Sequence, residues 1–170
     1  RYSNEKRQDV LIDAISKSKY ADKIQLVLAG KGPNEEKYRK LSEKLPIKPL
    51  LQFYDKENLI KLLQSTDLYV HSADAEIEAI SCIEAFACGN VPVIANSPNS
   101  ATKQFALVPE SLFEAGNSED LANKIDFWLD NENYRKEMEL KYSKSADNYR
   151  LKDSIKKMEE MFEDAIREYR

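Results

Sequence analysis

The 170 residues carry 26 Lys and Arg against 30 Asp and Glu, a formal net charge of -4, with 42% hydrophobic and 33% charged residues. A chain of this make-up buries a real core as one domain, leaves no basic stripe for nucleic acid, and has no run near the roughly 18 apolar residues of a membrane span. The opening "RYSNEKRQ" is too polar for a signal peptide, so the chain reads as cytoplasmic.

In chain order, "DVLIDAISKS" (Asp9 to Ser18) sets Val10, Leu11, Ala14 and Ile15 on one helical face, and "IQLVLAG" (Ile24 to Gly30) is a β-rich run stopped by glycine. "NEEKYRKLSEKL" (Asn34 to Leu45) is a helix with an N-cap candidate, "PLLQFY" (Pro49 to Tyr54) a short strand, and "KENLIKLLQST" (Lys56 to Thr66) a helix again. "DLYVHS" (Asp67 to Ser72) is a third strand, "EIEAISCIEAFACG" (Glu76 to Gly89) holds the next helix, and "VPVIAN" (Val91 to Asn96) is a fourth strand. A loop rich in Ser, Pro and Asn leads to the strand candidate "SLFEA" (Ser111 to Ala115), a helix from about Ser118 to Leu129, and two further helices reaching Arg170. Cys82 and Cys88, six apart on one helix, point about 120° away from each other and are not expected to bridge. Two unpaired cysteines fit a reducing compartment.

Strands alternating with helices imply an α/β, Rossmann-like, doubly wound parallel sheet, here with a helical C-terminal tail. Such a sheet ordinarily begins with a strand, whereas this chain enters a helix first, so a strand upstream of Arg1 is expected. In the tail, Ile155, Met158, Met161, Phe162 and Ile166 form one stripe, for which core packing is expected ahead of membrane contact, with an exposed apolar surface as the alternative.

"EIEAISCIEAFACG" places three glutamates in an apolar run, and an ionised carboxylate is costly to bury without partners. Ligands of parallel α/β sheets bind beyond the carboxyl ends of the strands, where loops enter helix N-termini. The loop "ADAE" is such a place: free amides around Ile77 to Ile80 would face a phosphate, Glu76 stands at the mouth, and Glu84, two turns in, needs donors such as ribose hydroxyls. Plainer readings stand beside these. Glu84 would be a core-edge carboxylate bonded to backbone, Glu76 and Glu78 loop acids in solvent, and His71, the single histidine, a structural strand-end residue. Neither an Asp-x-Asp motif nor a His and Cys cluster is present, so no metal site and no cofactor are expected.

Glu76 and Glu84 have the Glu-x7-Glu spacing, and "EAFACGNVPVIA" resembles the "EAMACGTPVVA" segment of the donor-binding, C-terminal domain of retaining glycosyltransferases with the GT-B fold, family 4. "RYSNEKRQDVLIDA", "LVLAGKGPNEEKYRKL" and "LLQSTDLYVHSADAE" resemble the family's other segments in the same order, so the resemblance covers nearly the whole chain. It implies that Arg1 and Lys6 bind the donor diphosphate by charge-assisted contacts and that Glu76 contacts the transferred sugar, making these three the expected catalytic residues. It further implies that the backbone of Ile77, Glu78, Ala79 and Ile80 approaches sugar and phosphate and that Glu84 binds the ribose. The nucleobase is placed near Phe53 and Tyr54, and Gly32 in the turn Gly30, Gly32, Pro33 allows close approach of the donor.

Where the family writes "EGFGL" this chain writes "EIEAI", which replaces both glycines and adds Glu78. The combined pattern is most similar to a bacterial subgroup that glucosylates lipids and sterols. That similarity implies UDP-glucose as donor, a lipid or sterol acceptor with peripheral membrane contact, and an N-terminal acceptor domain without which the chain is inactive. The alternative is a non-catalytic nucleotide or sugar-phosphate binding module of the same fold.

Overall fold

The computed structural model describes residues 1–169; the expected reach of the last helix to Arg170 ends on the one residue outside that range. Seven α-helices and five strands follow one another: α1 (Gln8–Lys17), β1 (Val27–Ala29), α2 (Glu35–Leu41), β2 (Leu50–Gln52), α3 (Lys56–Gln64), β3 (Leu68–His71), α4 (Ile80–Ala87), β4 (Val91–Asn96), β5 (Leu112–Glu114), α5 (Ser118–Asp130), α6 (Glu132–Ser145) and α7 (Leu151–Glu168). Every strand pairing is parallel, with helices between.

Local chemistry explains the element ends. Asp55 caps α3 by accepting from the Asn58 amide at 2.9 Å, and Asn117 caps α5 by accepting from the amides of Glu119 and Asp120 at 3.1 and 3.0 Å. β4 lies between β3 and β5, and its residues Val91 to Ala95 are all buried, as befits a strand covered on both faces. One contiguous core joins α1, β4, α4, α5 and α6, with Ile12, Phe86, Ile94, Phe113, Leu121 and Trp128 at its centre. Trp128 donates from Nε1 to the Glu110 carbonyl at 3.1 Å and stacks on Tyr134, so its one polar atom is satisfied inside the core.

Three expectations are corrected. The sheet is divided: β1 pairs with β2, and β3, β4 and β5 form a second set, with no ladder between β1 and β3 among the described residues. Between these two strands runs a cleft of about 900 Å³, lined by apolar side chains such as Leu28, Leu59, Leu63, Leu68 and Val70, with Arg1 and Tyr2 at one end. The helix expected from Glu76 starts at Ile80 instead, because Ala79 supplies no side-chain cap and Glu76 is drawn into a β-bridge with Ser100. Finally, the stripe of α7 does not join the core. Ile155, Met158, Met161, Phe162 and Ile166 are each 47% to 57% exposed, since the helix leaves the domain after Arg150 and no residue of it is buried.

Candidate functional site

Where β3 ends, the chain is laced to its own beginning. The Asp74 amide donates to the Glu5 carbonyl at 2.9 Å, Ser72 Oγ donates to the Lys6 carbonyl at 2.8 Å, and Arg7 pairs with Asp74. Arg7 adopts φ 49° and ends a 3-10 turn over Asn4–Lys6, so the backbone reverses sharply there and presents Lys6 to the β3–α4 loop. Lys6 Nζ binds the Glu76 carboxylate, and both side chains are mostly covered.

The loop itself is pinned on its other side. The Glu76 amide donates to Asn99 O at 3.4 Å and the Ala101 amide donates to Glu76 O at 3.0 Å. Beyond it, the backbone N–H groups of Ile77, Glu78, Ala79, Ile80 and Ser81 donate to no protein acceptor among the described residues. They form a run of open donors at the positive end of α4, the chemistry that receives an anion. Ile77 is 89% exposed and Glu78 also lies in solvent, whereas Ala79 is buried beneath the loop.

Glu84, on the second turn of α4, is a half-buried residue lining the cleft, and its carboxylate has neither a hydrogen bond nor an ion pair among the described residues. A carboxylate so placed is an acceptor awaiting donors. Arg1 is exposed at the mouth of the same cleft, where Gln8 Nε2 donates to its carbonyl at 2.9 Å. Phe53 and Tyr54 follow β2, and Phe53 is 64% exposed with Lys31 Nζ 5.0 Å above its ring, a flat apolar face at the rim. Lys6, Glu76 and the amides of 77–81 therefore stand together at the carboxyl end of β3. Glu84 and Arg1 flank them, and Phe53 and Tyr54 lie farther out at the end of β2.

Gly32 serves a neighbour within the chain. A Cβ there would lie 2.7 Å from Tyr2 N and 2.9 Å from Tyr2 C, so it is the Tyr2 backbone whose close approach this glycine permits. Tyr2 N in turn donates to Lys31 O at 3.1 Å and Tyr2 Oη to Leu28 O at 2.5 Å. Gly32→Ala should cost about 1–3 kcal/mol of stability, because backbone cannot yield as a flexible side chain does. Denaturant unfolding measures it, and an unchanged midpoint would contradict this account.

Sequence reasoning passed over Arg7, Asp74 and the surroundings of His71. The imidazole is buried, with Nδ1 3.3 Å from Tyr69 Oη and Nε2 3.8 Å from Glu76 Oε2. Burial above all, and then the Lys6 charge, push its pKa from 6.5 down to about 4 against the pull of Glu76. The one signal in the sequence was its place two residues after Tyr69 on a strand leading straight to the site. Cys82 and Cys88 are unpaired; burial raises both thiols, Cys82 to about 12, and neither is poised to react.

A family model described as glycosyl transferases group 1 matches residues 1–146. Among solved structures, the catalytic domain of cholesterol-alpha-glucosyltransferase from Helicobacter pylori is 53% identical, with a TM-score of 0.85 over 88% of this chain and 94% of that one. Anabaena HepE in complex with UDP-glucose is 22% identical with a TM-score of 0.74, and a Rickettsia africae glycosyltransferase 20% identical with a TM-score of 0.82. These cover 86% and 98% of this chain, which spans only 42% and 46% of theirs. No curated protein matches. Parallel strands with helices between, a donor-rich loop at the carboxyl end of β3 and a family match over 146 residues agree: the chain belongs to the glycosyl transferases group 1 family.

Proposed function

We propose that the chain is the donor-binding part of a retaining glycosyltransferase that moves glucose from UDP-glucose to a lipid or sterol acceptor in bacterial glycolipid synthesis. The observation that carries this reading is the junction of Lys6, Glu76 and the open amides of 77–81 at the carboxyl end of β3, with the unpartnered Glu84 beside it. Cations and amides suit a diphosphate, and the two carboxylates suit sugar and ribose hydroxyls. Glucose and the sterol or lipid acceptor rest on the 53% likeness to a cholesterol glucosyltransferase catalytic domain, and UDP-glucose gains support from the HepE complex.

During transfer the departing diphosphate gathers charge. In this reading Lys6, Arg1 and the α4 amides meet that charge, Glu76 fixes the sugar, and Glu84 fixes the ribose at a distance from the reaction. Ile77 and Ala79, which replace the family's glycines, leave the amides open nonetheless, because the Ile77 side chain turns to solvent and Ala79 packs inward.

The acceptor is assigned to a companion N-terminal domain, at the inner face of the membrane. Among the described residues no helix is long and apolar enough to cross a membrane. The cleft between β1 and β3 is assigned to a further parallel strand preceding Arg1. Its apolar lining supports this, and so does the position of Arg1 N, 3.4 Å from where a Cβ on Gly30 would stand, at the carboxyl end of β1. A segment running into Arg1 along the cleft would then be parallel to both neighbours.

Calorimetry with UDP-glucose tests the donor site on the chain itself. Binding should be saturable, and Glu84→Ala should weaken it about tenfold or more, the loss expected for hydrogen bonds to a charged acceptor. The absence of heat with any nucleotide sugar would defeat the proposal.

A further inference from the structure

Lys6 and Glu76 are bound to each other, yet the proposed function needs them apart, the ammonium at the diphosphate and the carboxylate at the sugar. When Lys6 leaves, a carboxylate whose side chain is only 17% exposed loses its partner, a costly state unless another donor replaces it. One group stands in place to do so. His71 Nε2 lies 3.8 Å from Glu76 Oε2, on a side chain 6% exposed, and it is a buried polar atom with no hydrogen-bond partner among the described residues. Buried polar atoms are rarely left unpaired, and this one is aimed at the single carboxylate that donor binding would release.

We infer that His71 is a positioning residue for Glu76. In the donor-bound state its Nε2–H donates to the Glu76 carboxylate and holds it toward the sugar, while Lys6 turns to the diphosphate. The inference rests on the donor-binding reading above. The imidazole is itself oriented from behind: Nδ1 lies 3.3 Å from Tyr69 Oη, which is 3.0 Å from Ser81 Oγ on the first turn of α4. Tyr69 Oη donates to Ser81 Oγ in this state; turning that one hydroxyl proton to Nδ1 when Lys6 leaves would put the imidazole proton on Nε2, the nitrogen that faces Glu76. His71 never touches the donor in this arrangement. It acts through Glu76, and so its effect belongs to the sugar and not to the nucleotide.

That division gives the test. By calorimetry on the 170-residue chain, His71→Met, which keeps bulk and removes the donor, should weaken UDP-glucose about tenfold and leave UDP unchanged. His71→Gln, whose side-chain N–H reaches a similar place, should restore UDP-glucose binding. The histidine is the only one in the sequence, so long-range ¹H–¹⁵N spectra report its tautomer without assignment, and the UDP-glucose complex should show a protonated Nε2 and a bare Nδ1. A bound state with Nδ1–H, or equal losses for UDP and UDP-glucose in His71→Met, would overturn the inference while leaving the donor site standing. Failure of the wild-type chain to bind either ligand would remove the donor reading itself. Should His71→Met fail to fold, the spectrum of the wild-type complex decides alone.

Discussion

Replacing Lys6 by methionine, with the chain joined to its proposed N-terminal domain, is expected to lower kcat by about a hundredfold to a thousandfold, the range for removing one donor from a developing anion. The reason lies in how firmly the backbone that carries the ammonium is placed. The 3-10 turn Asn4–Lys6 is fixed at its carbonyls by Asp74 N and Ser72 Oγ, and the reversal at Arg7 is held by its pairing with Asp74. Once donor binding has drawn the ammonium from Glu76 to the diphosphate, no further reorganisation is needed when charge appears, and its interaction grows from ground state to transition state. The loss should therefore fall on kcat more than on the KM for the donor. A variant with raised KM and unaltered kcat would mean that Lys6 only binds. Lys6→Met also strips Glu76 of its partner, and the double variant Lys6→Met, Glu76→Gln separates the two effects. Its kcat should stay low, since neutralising the stranded carboxylate does not return the missing cation. Recovery in the double variant would shift the cause from the diphosphate to Glu76.

Much of the fold was legible because its signals are local. The spacing of Val10, Leu11, Ala14 and Ile15 marks the buried face of α1, the run from Val91 to Asn96 marks β4, and the stretch from about Ser118 to Leu129 marks α5. The failures share a cause, which is dependence on residues far away in the chain. Helix α4 starts four residues later than its apolar pattern suggests because Glu76 pairs with Ser100 in the loop after β4, a tertiary bridge with no trace in the local pattern. The division between β1 and β3 left no trace in either strand, each of which reads alike whether or not a neighbour fills the cleft; its one signal was that the chain enters a helix before any strand. For α7 the amphipathic stripe was plain, but a stripe shows only that something apolar covers it and not which surface does.

The site followed the same rule. Glu76, Glu84 and the amides of the β3–α4 loop were readable from position in an α/β pattern, because strand ends collect ligands whatever the side chains. Gly32 was read as room for a donor, whereas the structure packs the Tyr2 backbone against it, a contact across thirty positions. His71 was read as filler. Its meaning depends on Lys6 and Glu76, and only the fold brings the first of these, 65 residues away, to it.

Lowering the pH from 6.5 to about 4 should cost the folded chain up to about 3 kcal/mol through His71 alone. The folded imidazole has its pKa depressed from 6.5 to about 4, chiefly by burial and next by the Lys6 charge, with Glu76 opposing. Below pH 6.5 the unfolded chain therefore takes up a proton that the folded chain refuses. Stability is complete above the unfolded value and drains away until the folded imidazole also protonates near pH 4. Other groups fall elsewhere. Lys44, Ser118 and Lys17 hold the Asp13 carboxyl well below its ordinary 3.8, and Glu5 and Glu132 are held below 4.5, so their contributions fade mainly under about pH 5. His71→Gln retains every carboxylate and removes only the imidazole, so the difference between the two chains isolates His71. Denaturant midpoints at pH 7.0, 6.0 and 5.0 should fall more steeply for wild type than for His71→Gln. Parallel slopes would show that the imidazole finds a way to protonate in place, most directly by swinging toward Glu76, and the cost of its burial would then be far smaller than its surroundings indicate.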